Sequence, residues 1–376
     1  MAGERWLIAA AVVVGLVMVA GILLVNRERL GIGSEPGNPN DHRPNIVLVV
    51  SDDLDMALFD TLSGMPSIPE GRSFRQMFVT TPLCCPSKTS ILRGQYAHSH
   101  GVYRNSPPKG GLARALELKI ESSTAATWLD DAGYETGFFG RYLIGYGNRD
   151  SEPSYVPPGW DHFAARISPI QDGYDNAEFS VDGHPQRLAG NVDAAALPWA
   201  RQVMAAAGDR PYFIMIAAMA PHWPWPDRND PATRGQTMPP VEQLVEQLLR
   251  EVGPDTYVLF TSDNGFHTEP MPGKSLPYDT DTMVPLVVWG PDVVAGADDE
   301  HIVANIDLAP TIADWADVTP PSFVEGSSLV PLTQGLQPSW RDSIQLELID
   351  AWEAVRTATE LEIDWADGRH EVIPVD

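Results

Sequence analysis

Two pairs of oxygen-bearing side chains each follow a short apolar run. Asp52-Asp53 comes directly after residues 45–51, and Asp263-Asn264 closes the stretch that begins at 257–261. Such pairs offer hard oxygen donors with no imidazole or thiol among them, which favours Ca2+ or Mg2+ over zinc. One Asp pair alone is more often a cap or a turn. Two pairs, each placed just beyond a buried strand, argue for a metal. Two further apolar runs end in Gly140-Arg141 and Pro221-His222, a fixed cation and a titratable imidazole. The chain has 2 cysteines, Cys84 and Cys85. Adjacent cysteines rarely bridge, and there is no third to pair with, so they serve something other than a disulfide framework.

These residues need a scaffold that brings distant segments to one edge. The runs 45–51, 134–139, 212–218, 257–261 and 285–289 read as short buried strands. Helical spacing covers 124–132, closed by Gly133, then 241–252 and 306–316. Strands alternating with helices predict an α/β fold: a mostly parallel sheet flanked by helices on both faces. Acids at strand ends then fall at the carboxyl edge of that sheet, where such folds place their sites. The tail differs. Residues 343–348, 354–357, 360–364 and 371–375, with a turn at Asp367-Gly368, predict a small antiparallel subdomain.

The chain divides into four parts. Residues 6–25 are apolar without interruption, with Arg5 before them and Arg27 and Arg29 after, enough to cross a membrane as a helix. No small-residue cleavage pattern follows, so 1–29 is predicted to be an uncleaved signal anchor, the alternative being secretion after cleavage. Residues 30–44, rich in Gly, Pro and Asn, form a linker. Residues 45–337 form the main domain and 338–376 the C-terminal subdomain. A formal net charge of -26 excludes nucleic-acid binding, which needs a basic face.

The segment Cys84-Cys85-Pro86-Ser87-Lys88 resembles the signature of the sulfatase family, part of the alkaline phosphatase superfamily. The resemblance continues through 45–53, Gly133–Arg141, Ala220-Pro221-His222, Thr261–Gly265, Lys274 and Asp307–Thr311. Local wording is nearest to the N-acetylglucosamine-6-sulfatase and heparan endosulfatase branch. The resemblance implies an alkaline-phosphatase-like fold and hydrolysis of sulfate esters of a sugar or aryl compound, the alternatives being a phosphate or phosphonate ester hydrolase of the same superfamily and a non-catalytic protein that binds sulfated glycans. It implies that Cys84 is oxidised to formylglycine by a formylglycine-generating enzyme. It also implies that Asp52, Asp53, Cys84, Asp263 and Asn264 surround Ca2+, with Mg2+ the alternative.

On this reading Lys88, Arg141 and Lys274 neutralise sulfate oxygens, and His222 or Lys274 protonates the departing alcohol. His267 suits substrate binding, proton donation or a structural role, and Asn105 a substrate contact. Trp223 and Trp225 suit a sugar platform or core packing equally. His98 and His100 are expected to support the loop around the nucleophile helix. Two positions depart from the family pattern: Lys88 stands where arginine is usual, and Arg141 where lysine is usual. The exchanges keep charge but not shape, since a guanidinium is a planar fork and an ammonium a point charge. If the two sit in one pocket, they compensate. The domain is expected outside the cytoplasm, on a single-pass cell-membrane protein.

Overall fold

The computed structural model describes residues 41–62 and 70–375. The predicted anchor and nearly all of the linker lie outside them. Among the described residues, no helix is long and apolar enough to cross a membrane. The elements below belong to one compact unit, residues 42–207 and 211–376.

The central sheet has 10 strands. Its middle is parallel: β1 (Asn45–Asp52) lies between β8 (Tyr212–Pro221) and β9 (Thr256–Ser262), and β8 pairs in turn with β4 (Glu135–Gly140). β5 (His162–Arg166) extends this parallel run beside β4. The margins reverse. β10 (Leu286–Trp289) runs antiparallel to β9, and β6 (Glu178–Val181) and β7 (His184–Arg187) continue antiparallel beyond β5. The centre of the sheet is thus parallel as expected and its margins make it mixed; β6 and β7 are joined by a tight hairpin and need no crossover helix.

Alternation across the pleat explains the two cores. Ile46, Leu48 and Val50 of β1 and Phe213, Met215 and Ala217 of β8 face one apolar cluster. Val47, Val49, Ile214 and Ile216 face the other. The first face is covered by helices Cys84–Arg93, Gly111–Glu117, Ala125–Asp131 and Leu308–Trp315. The second is covered by Ala196–Ala207 and Pro239–Glu251. A strand buried on both faces must be apolar at every position, which is why all ten residues of β8 are buried. Each such aliphatic side chain contributes about 1.5–3 kcal/mol of burial.

The tail forms a separate antiparallel sheet of β13 (Ser343–Leu348), β14 (Trp352–Thr357), β15 (Glu360–Trp365) and β16 (His370–Pro374). Its inner face, including Ile344, Leu346, Ala354 and Ile363, packs on Phe78, Ile302 and Ile306. Arg356 adds a two-point ion pair to Asp279, at 3.0 and 2.9 Å.

Candidate active site

Strand register assembles the site. Ser51 of β1 pairs with Ser262 of β9, Asp52 pairs with Pro221 of β8, and Gly140 of β4 pairs with Ala217 of β8. Asp52-Asp53, Asp263-Asn264, His222 and Arg141 therefore leave the sheet side by side. At Gly140 φ is +118°, and a Cβ there would lie 2.0 Å from the Ala217 carbonyl oxygen. Glycine lets the chain turn at this point and aim Arg141 inward. Asp53 is not glycine yet has φ 73°. Such a conformation costs about 1–3 kcal/mol and persists only when the surroundings hold it. Here the Asp53 N–H faces Asp263 Oδ1 at 3.4 Å, and Arg234 donates to the Asp53 carbonyl at 3.0 Å.

Cys84 opens the helix Cys84–Arg93, with Pro86 in its first turn and Gly94 in left-handed conformation at its end. Leu83, at the cap position, makes no side-chain capping bond. Asn105 reaches in instead: its Oδ1 accepts from the Cys85 N–H at 2.8 Å. Asn105, expected to touch substrate, thus holds the helix start. Asn305 donates to Ser87 Oγ at 2.9 Å on the same turn. Lys88 lies four residues after Cys84, on the same helix face.

The charged groups interlock. Lys88 Nζ sits 2.8 Å from Asp52 Oδ2 and 2.9 Å from Asp263 Oδ2. Arg141 reaches the same Asp52 oxygen at 2.7 Å. Lys274 Nζ lies 2.8 Å from Cys84 Sγ, 3.3 Å from Asn264 Oδ1 and 3.8 Å from Asp52 Oδ1, and it contacts Asp53 Oδ1. Burial alone would raise the Asp52 pKa, but Arg141, Lys88, His222 and Lys274 outweigh it and hold the carboxyl well below its usual range. Burial and the neighbouring Asp52 push Asp263 up to about 6. Burial and Asp52 push the Cys84 thiol up to about 12, so an unmodified Cys84 is not a thiolate near neutrality.

These residues fit a hard cation. Ligand atoms of Asp52, Asp53 and Cys84 lie within 4.8 Å of one another. Asp263 is outside that group and adjoins it through Lys88 and the Asp53 N–H, while Asn264 Nδ2 donates to Asp53 Oδ1 at 2.6 Å. Asp263 Oδ2 is buried and accepts no hydrogen bond among the described residues, meeting Lys88 as an ion pair alone. The Lys274 ammonium itself occupies a cradle of Asp52, Asp53, Asn264 and Cys84. A positive charge is what this donor set accepts.

His222 donates from Nδ1 to the Trp223 carbonyl at 2.6 Å, and its Nε2 lies 3.8 Å from Asp53 Oδ2. Burial, then Arg141, lower its pKa to about 4, so the ring is neutral with a bare Nε2. His267 pairs through Nδ1 with the buried Asp281 at 2.7 Å. Trp225 is buried and donates to the Pro221 carbonyl, a packing role, while Trp223 is half-buried with Arg228 over its ring. His98 and His100 support the loop as expected: His98 binds Glu347 of β13 at 2.9 Å, and His100 meets Ser90 Oγ at 3.1 Å. Sequence reasoning missed Arg234, Asn305, Asp281 and Glu347. Arg234, Asn305 and Asp281 lie in short helical turns and Glu347 in a strand, each a single polar residue with no periodic neighbour to mark it.

A family model described as Sulfatase matches residues 44–318. The chain is 29% identical over 389 residues to a Drosophila melanogaster protein named extracellular sulfatase SULF-1 homolog, covering 83% of this chain and 34% of that one. It is 30% identical over 381 residues to the Homo sapiens N-acetylglucosamine-6-sulfatase, covering 81% and 67%. The chain therefore spans about a third of the first relative's length and two thirds of the second's. A solved structure, of a protein in complex with its substrate D-glucosamine-2-N,6-O-disulfate, superposes with a TM-score of 0.72 at 19% identity, covering 89% of this chain and 91% of that one. That likeness bears on the fold, which is alkaline-phosphatase-like. With the family model spanning most of the described residues and its motif positions drawn to one sheet edge, the chain belongs to the sulfatase family.

Proposed function

We propose that this protein hydrolyses sulfate esters, with residue 84 as nucleophile and a divalent cation beside it. The observation that carries the reading is the cradle of Asp52, Asp53, Asn264 and Cys84 around one ammonium, with Lys88 and Arg141 sharing Asp52. Ca2+, or Mg2+, held by Asp52, Asp53, Asp263, Asn264 and residue 84 would polarise the sulfate oxygens and favour an ionised nucleophile. Formylglycine at residue 84 would supply a hydrated aldehyde, whose second hydroxyl can expel sulfate and restore the carbonyl, which a thiol cannot do. Lys88 and Arg141 orient the sulfate group and offset the charge growing on its oxygens. His222 Nε2 carries no proton and so acts as an acceptor. Lys274 is the group able to protonate the departing alcohol.

The substrate class we infer is a sulfated sugar, on the names of the human relative and of the ligand in the solved neighbour, with aryl sulfates as model substrates. We further propose an extracytoplasmic domain carried on the 1–29 segment as a membrane anchor or released by its cleavage, and maturation by a formylglycine-generating enzyme. The test has two parts, on protein purified from its native host. Mass spectrometry of the peptide spanning Cys84 reads its chemical state. Matched sulfate and phosphate esters are then assayed with Ca2+ or Mg2+ present. Formylglycine with sulfate ester turnover is expected. Unmodified cysteine throughout, or faster phosphate ester hydrolysis, overturns the proposal.

A further inference from the structure

We propose that His267, Asp281 and Trp352 are positioning residues that clamp the backbone on both sides of Lys274 and so aim its ammonium; this rests on the role given to Lys274 above. Ser275, the next residue, has φ 94° without being glycine. An L-residue stays in that region only when its neighbours over-determine it, and here they do. Before Lys274, His267 and Gly273 exchange backbone hydrogen bonds in both directions at 2.9 Å. The imidazole also lies against Gly273, where an added Cβ would stand 3.3 Å from Nε2. After Lys274, the Leu276 N–H donates to Asp281 Oδ2 at 2.7 Å. At the strained residue itself, the Ser275 carbonyl accepts from Trp352 Nε1 at 2.9 Å.

Asp281 joins these contacts. It is fully buried, and one carboxylate serves both flanks, with Oδ1 on His267 and Oδ2 on Leu276. Its own carbonyl accepts from the Gly265 N–H at 2.8 Å, tying the clamp to the turn that carries Asn264. Trp352 belongs to β14, so its indole ties the C-terminal sheet to this segment. A merely structural loop would not need strain at the residue beside its functional lysine. His267 thus acts through Lys274 and not on substrate.

The role assigned to Lys274 is specific. As the S–O bond to the alcohol breaks, the Nζ proton passes to the bridging oxygen and the alcohol leaves neutral. A nitrophenolate leaves without that proton, whereas an alkoxide does not. His267→Ala and Trp352→Phe each remove one clamp. Asp281→Ala strips both flanks and is the variant most prone to misfold, so the first two carry the test.

Expected for each is a loss on the order of 10–100-fold in kcat on an alkyl sulfate, against less than about 3-fold on 4-nitrophenyl sulfate. Combined with Lys274→Ala, neither should cause a further loss. An amine-reactive label, quantified on the Lys274 peptide, should enter both variants several-fold faster than the wild type. Equal losses on the two esters, additivity with Lys274→Ala, or unchanged labelling overturns the clamp. A wild-type chain that turns over neither ester sinks the sulfatase reading instead, and the labelling comparison still decides the clamp.

Discussion

Acid should loosen this protein through His100. The ring is almost wholly buried behind the helix that begins at Cys84. Its Nδ1 accepts the Val102 N–H at 3.1 Å, so the ring proton is on Nε2, which faces Ser90 Oγ. Burial, then Arg93, lower its pKa from 6.5 to about 3. Protonation would also set an N–H on Nδ1 against the Val102 N–H. The unfolded chain takes up this proton near pH 6.5 and the native state only near 3, so stability is full above 6.5 and is lost as pH falls through that window. At pH 5 the two pKa values correspond to a loss of about 2 kcal/mol relative to pH 8. Buried carboxyls such as Asp193 and Asp307 are raised by burial and shift stability in the opposite sense. A comparison with His100→Gln cancels them, because both proteins share those groups. Urea unfolding of both at pH 8 and pH 5 should show the wild type losing about 2 kcal/mol more than the variant. A difference under about 0.5 kcal/mol would refute the assignment of a neutral, buried His100.

Arg341→Ala should lower stability by about 2–4 kcal/mol, because it leaves the fully buried Asp307 without its two-point partner, at 2.6 and 2.8 Å; thermal melting checks this. A chelator should abolish turnover and lower the melting temperature, with Ca2+ or Mg2+ restoring both; turnover unaffected by prolonged chelation would argue against a catalytic ion. Lys88→Arg alone should reduce kcat at least tenfold, since a planar fork must fit where a point charge spans Asp52 and Asp263. Joining it to Arg141→Lys should recover part of that loss in the same assay.

The parts of this molecule legible in its sequence were those with a repeating or terminating signal. β1 and β9 are short apolar runs stopped by acids, so both the strands and their polar ends could be read. The C-terminal hairpins alternate, and all four were placed within two residues. β7 was not foreseen, because an edge strand such as His184–Arg187, exposed at every position, carries no apolar pattern, and β5 and β6 were not foreseen because they are short, 5 and 4 residues, with little run to read. Register was also beyond reach. That Asp52 lies beside Pro221 depends on an irregularity between Val50 and Asp52, set by packing rather than by residue type. The clamps around the site were invisible for the same reason. Asp281 and Trp352 meet the Lys274 segment across sequence separations with no local signature, and the strain at Ser275 exists only in the folded chain.

The exchange of Lys88 and Arg141 shows what residue types can and cannot settle. The sequence says that a lysine and an arginine have traded places relative to the family pattern. Only the fold shows that they meet on a single oxygen, Asp52 Oδ2. That oxygen comes from β1, while the two cations arrive from a helix and from the end of β4. Their positions differ in kind. Lys88 is buried and bridges carboxylates from two strands, a task for a compact ammonium with rotatable donors. Arg141 is more open and, among the described residues, commits one nitrogen to Asp52. On the function proposed above, the rest of its fork would receive the sulfate group, whose paired oxygens a fork matches better than a point charge does. The exchange therefore places the planar fork at the less buried of the two positions while leaving the charge around Asp52 unchanged.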